Sequence, residues 1–270
     1  MNGSEPVDPD AVAAFYKKFR PLGLKPDIVR PVYGLAESAL AVTFADPGPA
    51  LLDRVDAETL EQRGHARPAA NGQRARTFIS VGRPIPTQEV RIMNSEGVVL
   101  PEREVGEIGV RGPSVMKGYF GHPEESAAVL KDGWLHTADL GYVADGRLYI
   151  TGRLKDIVIR HGKKYHAQDI EQCIGRTPGV MQGGVAVFGL DTGPEQKVIV
   201  VAEARAQAAV ADGRIERAIR RACQDDFLLG LDDVRLVTPG TIPRTTSGKV
   251  RRQSCRQWYT EAVTISGSNH

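Results

Sequence analysis

The run from Trp134 to Glu171, WLHTADLGYVADGRLYITGRLKDIVIRHGKKYHAQDIE, constrains this chain more than any other stretch. Asp145-Gly146 stands between Tyr142-Val143 and Leu148-Tyr149-Ile150, and it predicts a hairpin because both turn residues tolerate positive φ. Thr151-Gly152 then ends the hairpin, and Asp156-Ile157-Val158-Ile159 begins a new strand. Arg153, Leu154 and Lys155 lie between them, with charges where a strand would want apolar groups. They read as a short exposed connector between two folded bodies, although these residues alone fit an ordinary polar loop equally well.

Composition narrows the setting. At 270 residues there is room for one large or two modest domains, and 41% hydrophobic with 25% charged residues excludes disorder as the main state. A net charge of +2 is too small to imply a nucleic-acid or membrane partner. No apolar run approaches the ~20 residues of a membrane span, and the polar start is not a signal peptide, so the chain reads as cytoplasmic. Cys173, Cys223 and Cys255 lack paired spacing, which suggests neither a disulfide framework nor a zinc site, and the six histidines add no metal pattern.

Along the chain, Asp8 with Pro9 predicts a capped helix start. Val12, Phe15, Tyr16 and Phe19 at helical spacing predict a buried stripe behind it. Ile28 to Tyr33 reads as a short strand leading into Tyr33-Gly34-Leu35-Ala36-Glu37. An aromatic ring at a strand end, followed by glycine, can face a flat base, and a carboxylate four residues on can hold Mg²⁺, although the same pattern also occurs as plain structure. Asp46 to Thr77 reads as a surface excursion with a charged helix from Asp56 to Gln62. From Phe78 the pattern is β: Val90 and Ile92, then Ile108 and Val110, alternate around a Glu96-Gly97 turn, as in a small sheet or partly closed barrel. Residues 156–265 read as an α/β unit with buried strands at Val185–Phe188, Val198–Ala202 and Val234–Val237. Its main helix carries Ile215, Ala218, Ile219, Ala222 and Cys223 on one face and Arg214, Arg217, Arg220 and Arg221 on the other. Near the end, Pro243 to Lys249 form a hydroxyl-rich loop. It is not a P-loop, because Pro243 stands where that motif needs glycine and Val250 follows the lysine.

Three ordered runs carry a resemblance: Tyr33-Gly34-Leu35-Ala36-Glu37-Ser38, the segment around Gly152-Arg153-Leu154-Lys155-Asp156, and Pro243-Arg244-Thr245-Thr246-Ser247-Gly248-Lys249. Together they resemble the adenylate-forming enzymes: acyl-CoA synthetases, peptide-synthetase adenylation domains and fatty acyl-AMP ligases. Asn2-Gly3-Ser4-Glu5-Pro6, Gly82-Arg83-Pro84 with Val90-Arg91-Ile92, and Gln168-Asp169-Ile170-Glu171 are most similar to the fatty acyl-AMP ligases. Two positions depart from the pattern: Ala138 where the family has glycine before the ribose-binding aspartate, and Ala167 where even the ligases keep proline.

The resemblance implies a mixed α/β fold. Residues 1–154 would be the C-terminal part of a large nucleotide-binding domain with a barrel-like β subdomain, and residues 155–270 a small mobile domain. It implies ATP and AMP as ligands, with Mg²⁺. Ser4, Glu5 and Pro6 would lie against adenine, Tyr33 would stack on it beside Gly34, and Glu37 would hold Mg²⁺. Asp139 would accept from the ribose hydroxyls, and Arg153 would contact ribose or phosphate. Lys155 would be the hinge, Gly162 would line the thiol's approach, and Lys249 would join carboxylate to phosphate. The implied activity is conversion of a fatty acid to its acyl-adenylate, for transfer to a phosphopantetheinylated acyl carrier protein. The chain is expected to be the C-terminal portion of such a ligase, with Met1 not its true start and a phosphate-binding N-terminal half as its missing partner. The alternatives are an acyl-CoA synthetase and a non-catalytic remnant or carrier-docking module.

Overall fold

Asp145 and Gly146 both take positive φ, 52° and 68°, and turn β8 (Trp134–Ala144) back into β9 (Arg147–Arg153). This is the two-residue turn that matches strand twist. Around the hairpin is built the first of two units, Met1–Lys155 and Asp156–His270. The computed structural model describes residues 1–3, 7–25, 27–191, 193, 195–205, 213–246 and 248–267, with side chains as far as 262.

The first unit contains β1 (Val32–Leu35), β2 (Leu40–Phe44), β3 (Leu52–Asp56), β4 (Ala75–Pro84), β5 (Glu89–Met93), β6 (Gly106–Arg111) and, after the helix α3 (Pro123–Val129), the short β7 (Leu130–Lys131). With β8 and β9 these form one nine-stranded sheet in the order β1-β2-β4-β9-β8-β6-β5, with β3 on β4 and β7 on β8. That path is open among the described residues, so the expected small sheet or partly closed barrel takes the form of one sheet that does not close on itself. On one face Val42, Val81, Ile92, Ile108, Val110, Leu135 and Leu148 are packed together. On the other, Tyr142 and Tyr149 stack 5.0 Å apart over Phe78, Val55, Leu60 and Ala66.

Three expectations for this unit are corrected. Residues 46–77 are not a surface excursion, because β3 joins the sheet through β4 and Val55, Ala57 and Leu60 are buried. Asp56 caps α2 (Ala57–Arg63), accepting the Thr59 amide at 2.7 Å. The strand placed at Ile28 to Tyr33 begins only at Val32, and Pro31 before it makes an isolated bridge to Asn2. The aromatic stripe of α1 (Pro9–Phe19) is not buried: of its members only Val12 is, and Phe15 is 40% exposed. Its ring packs at 4.8 Å on Phe19 and 6.1 Å on Tyr16, so the aromatics cover one another rather than enter the core.

One turn of 3₁₀ helix, Leu154–Asp156, leads into the second unit. There β10 (Ile157–Arg160) and β11 (Lys163–His166) pair through a His161-Gly162 turn, again with two positive φ values, 49° and 72°. Helix α4 (Ala167–Gly175) precedes β12 (Val180–Asp191) and β13 (Gln196–Ala204), an antiparallel pair. Strand β14 (Asp233–Val237) lies parallel to β13, and α5 (Arg214–Phe227) supplies part of the crossover such a pair requires. The final helix is α6 (Arg252–Gly267). Helix α5 buries Ile215, Ile219, Cys223 and Phe227, whereas Ala218, expected on that face, is exposed. The buried stripe runs strictly every fourth residue, which carries Ala218 around the side. All three cysteines are buried free thiols, and burial pushes Cys173 and Cys223 up to about 12 and Cys255 to about 11. Among the described residues no helix is long and apolar enough to cross a membrane, and no cluster of His, Cys, Asp and Glu could hold a metal by itself.

The burial pattern of α5 sets an expectation. Phe227→Ala should cost about 3–5 kcal/mol of stability and Ala218→Gln less than about 0.5 kcal/mol, read from urea midpoints. Equal effects would mean the helix faces are wrongly assigned.

Candidate functional site

Gly34 tolerates no side chain: a Cβ there would lie 1.5 Å from the Leu40 carbonyl oxygen. The close approach arises because the chain turns sharply after a 3₁₀ turn at Ala36–Ser38, with Ala39 and Leu40 at φ 48° and 87°. Glu37 sits on that turn. Its Oε1 accepts the Tyr119 hydroxyl at 2.9 Å and its carbonyl accepts the Met116 amide at 2.7 Å. Beneath it, the hydroxyls of Ser38 and Ser114 lie 3.2 Å apart.

Asp139 is a buried charge, only 7% exposed. The Tyr33 hydroxyl donates to its Oδ2 at 2.9 Å, and Arg153 Nε donates to its Oδ1 at 2.8 Å. Arg153 stands directly opposite in the register of β9, so the hairpin itself makes this pair. Burial pushes the Asp139 carboxyl above its ordinary range, while Arg153 and Tyr33 pull it back. Tyr33 is 8% exposed, and burial, then the charge of Asp139, hold its hydroxyl far above its usual value, so it remains a donor.

A bulge brings Asp139 to this place. Gly109 pairs with His136 and Glu107 with Leu140, so β6 advances two residues while β8 advances four. In the bulge Ala138 is forced to φ 57°. The departure from the family's glycine is therefore one of backbone conformation: its methyl group occupies a left-handed position that disfavours any Cβ by roughly 1–2 kcal/mol. Glu107 holds the bulge, its Oε1 accepting the Ala138 amide at 2.9 Å while its Oε2 pairs with His136 Nδ1 at 2.8 Å. Thr137 Oγ1 donates to the Ile108 carbonyl and accepts the Asp139 amide.

The structure thus places Tyr33, Gly34, Glu37, Asp139 and Arg153 in the first unit. Tyr33, Asp139 and Arg153 are in direct contact, and Glu37 lies near enough for its charge to act on Asp139. Lys155 is exposed on the 3₁₀ turn. Gly162 and Lys249 belong to the second unit, Gly162 in the β10–β11 turn and Lys249 in a tight loop. In that loop the Thr245 amide donates to the Lys249 carbonyl at 2.8 Å, and Lys249's own amide donates to Thr245 Oγ1 at 3.0 Å. Ser4, Glu5, Pro6 and Ser247 lie outside the described residues. Sequence reasoning missed Tyr119 and Glu107. Glu107 is a lone acid beside the alternating Ile108 and Val110, and Tyr119 follows a glycine with no periodic partner, so only the folded register reveals either.

Residues 1–120 match the AMP-binding enzyme family. Over 96% of its length the chain is 37% identical to the long-chain-fatty-acid–AMP ligase FadD26 of Mycobacterium marinum, covering 47% of that protein. A Caulobacter vibrioides relative, named provisionally as an acyl-CoA synthetase, is 35% identical over 95% of this chain and 46% of its own. Among solved structures, a chain from studies of fatty acyl-adenylate ligases of E. coli and L. pneumophila superposes with a TM-score of 0.89 at 34% identity, over 97% of this chain and 47% of that one. The chain spans about half the length of the relatives it matches.

Two stability outcomes follow from this geometry. Ala138→Gly should stabilise the protein by about 1 kcal/mol, because the left-handed φ is retained without a Cβ. Asp139 has a raised folded-state pKa, so its favourable contribution is present at acid pH and is lost as pH rises through that value. Asp139→Asn should therefore compare better with the parent at pH 7 than at pH 4 in urea titrations. A comparison that improves toward acid would mean that the paired carboxylate is a net stabiliser.

Proposed function

From a chain whose first 120 residues match the AMP-binding enzymes and which resembles one half of the fatty acyl-AMP ligases, we propose an adenylating role. A fatty acid is activated with ATP to an acyl-adenylate, and the acyl group passes to a phosphopantetheine thiol on a carrier protein. The observation that carries the proposal is the buried Asp139 carboxylate, oriented by Tyr33 and Arg153. An ionised carboxylate has about four acceptor positions and two are in use here, which leaves others for a pair of ribose hydroxyls. Tyr33, whose hydroxyl fixes Asp139, is the residue that would stack on adenine, with Gly34 next to it in β1. Arg153, whose side chain is 67% exposed, can meet ribose or phosphate while holding Asp139.

In the reaction, a carboxylate oxygen of the fatty acid bonds to the α-phosphorus, and the α–β phosphoanhydride bond breaks to release pyrophosphate. Two anions must meet, so preorganised positive charge is the main requirement. Lys249, a compact charge on a long stem, supplies it at the junction. Glu37 fits Mg²⁺, which binds proteins through one or two carboxylates and otherwise through phosphates and water. Tyr119 occupies Oε1, and Oε2 carries no bond among the described residues. When bound there, Mg²⁺ would neutralise phosphate charge. Lys155 is the pivot about which the second unit turns between half-reactions, and Gly162 lines the thiol's approach.

An acyl-CoA synthetase remains the second reading, favoured by the name of the Caulobacter relative. Against it, the Arg160 guanidinium that could hold CoA phosphates is already bound by Asp232 and the Gln196 carbonyl. That leaves Lys163 and Lys164 as the hairpin's cations. A carrier-docking module without catalysis is the third.

Binding and turnover test the proposal separately. AMP should bind the protein in calorimetry, and Asp139→Ala should weaken it at least about tenfold, the scale of hydrogen bonds to a charged acceptor. In an enzyme that contains this segment together with a phosphate-binding half, given ATP and fatty acid, Lys249→Ala should lower acyl-adenylate formation by about 10²–10³-fold. Transfer from a supplied acyl-adenylate should suffer much less. Offered CoA and phosphopantetheinylated carrier in separate reactions, the protein should acylate the carrier. Efficient acyl-CoA formation without acyl-carrier would establish the synthetase instead, and AMP binding without adenylate formation even in that longer enzyme would favour the docking module.

A further inference from the structure

The loop that carries Lys249 stands on two buried carboxylates. Its two legs are joined by a bridge between Arg244 and Val250, and the Arg251 amide donates to the Pro243 carbonyl at 2.8 Å. The incoming leg is fixed by Glu203, which is 1% exposed. Glu203 Oε1 accepts the amides of Gly240 and Ile242, both at 3.0 Å, and its Oε2 accepts from Arg244 at 3.2 Å. The outgoing leg is fixed by Arg252, three residues beyond Lys249 and the first residue of α6. Its Nε donates to Glu171 Oε1 at 2.7 Å and its Nη2 to Glu171 Oε2 at 2.5 Å, a fork matched to a carboxylate. Its Nη1 reaches Asp156 Oδ2 at 2.7 Å, and Glu171 Oε1 also accepts the Val187 amide at 2.9 Å. Burial raises the Glu171 carboxyl, and Arg252 is the main group opposing that.

A buried fork of this kind contributes little net stability, because removing both charges from water costs about as much as their attraction returns. What it supplies is position. Asp156 is the residue immediately after Lys155, so a single guanidinium ties the start of the second unit to the end of the lysine loop. We infer that Arg252 and Glu203 are positioning residues for Lys249: they lock its loop to the β-sheet and to the segment following Lys155. Any turn about Lys155 then carries the lysine as a rigid part of the unit. This rests on the adenylating role proposed for Lys249, but its structural half can be tested without that role.

Two variants, one on each leg, provide the test. Arg252→Lys keeps the charge and loses the fork, and Glu203→Gln keeps an acceptor for both amides and loses the charge that faces Arg244. In hydrogen exchange of the 270-residue chain, the amides of Gly248 and Lys249 should exchange about tenfold faster or more in each variant, with those of Val198 to Ala202 unchanged. Unchanged loop amides in whichever variant folds would overturn the inference, as would loop and strand amides speeding up together. In an enzyme that contains this segment together with a phosphate-binding half, given ATP and fatty acid, each variant should lower adenylate formation by about 10–100-fold, the scale of a misplaced reacting group. Transfer from a supplied acyl-adenylate should change less than about threefold, and each variant combined with Lys249→Ala should be no slower than Lys249→Ala alone. Additive losses would show that these residues act elsewhere and overturn the positioning role. If Lys249→Ala alone leaves adenylate formation unchanged, the catalytic reading of Lys249 falls, and the exchange result still decides whether the two carboxylates hold the loop.

Discussion

A carboxylate taken out of water must be met by donors, and the chain has to travel to supply them. Asp139, Glu171 and Glu203 each impose that requirement here. Asp139 collects a phenol from residue 33 and a guanidinium from residue 153. Glu171 collects a backbone amide from residue 187 and a guanidinium from residue 252. Glu203 gathers the segment from 240 to 244. Apolar packing alone would allow the strands and loops of both units many near-equivalent placements. The buried charges accept only those in which every donor arrives, which favours one arrangement more than it adds to stability.

The features that could be read from the chain are those whose cause is local. Asp145-Gly146 makes a hairpin turn because its two residues suit the backbone, and Asp8 with Pro9 starts α1 for equally short-range reasons. Ile157 to Ile159 and Val198 to Ala202 likewise carry their own strand signal. The α/β reading of residues 156–265 followed from such pieces. What was illegible depends on partners distant in sequence. Val55 and Leu60 sit among charged neighbours and look like surface, yet β4 pairs with β3 and draws them into the core. Phe15 repeats at helical spacing and still finds no core to enter. Residues 33, 139 and 153 could be named from motifs, but that the tyrosine hydroxyl and the arginine share one carboxylate is a property of strand register alone.

Ala138 shows how a site can tolerate a residue its backbone disfavours. The bulge sets the left-handed angle, Glu107 and Thr137 hold it from either side, and the alanine complies. Strain of this kind persists only where the surroundings over-determine the geometry, which here means two anchoring side chains flanking the residue that faces the proposed ribose site.

The three cysteines bear on a different kind of experiment. Each thiol is buried, and each is held protonated well above neutral pH by its surroundings. Alkylating reagents attack the thiolate, so all three are nearly silent toward maleimides while the fold is intact. A single cysteine introduced at an exposed position would then outpace the native ones. Paired dyes or spin labels, one on each unit, could be attached without first stripping the protein of its own sulfur, and their separation would test whether the two units move relative to one another.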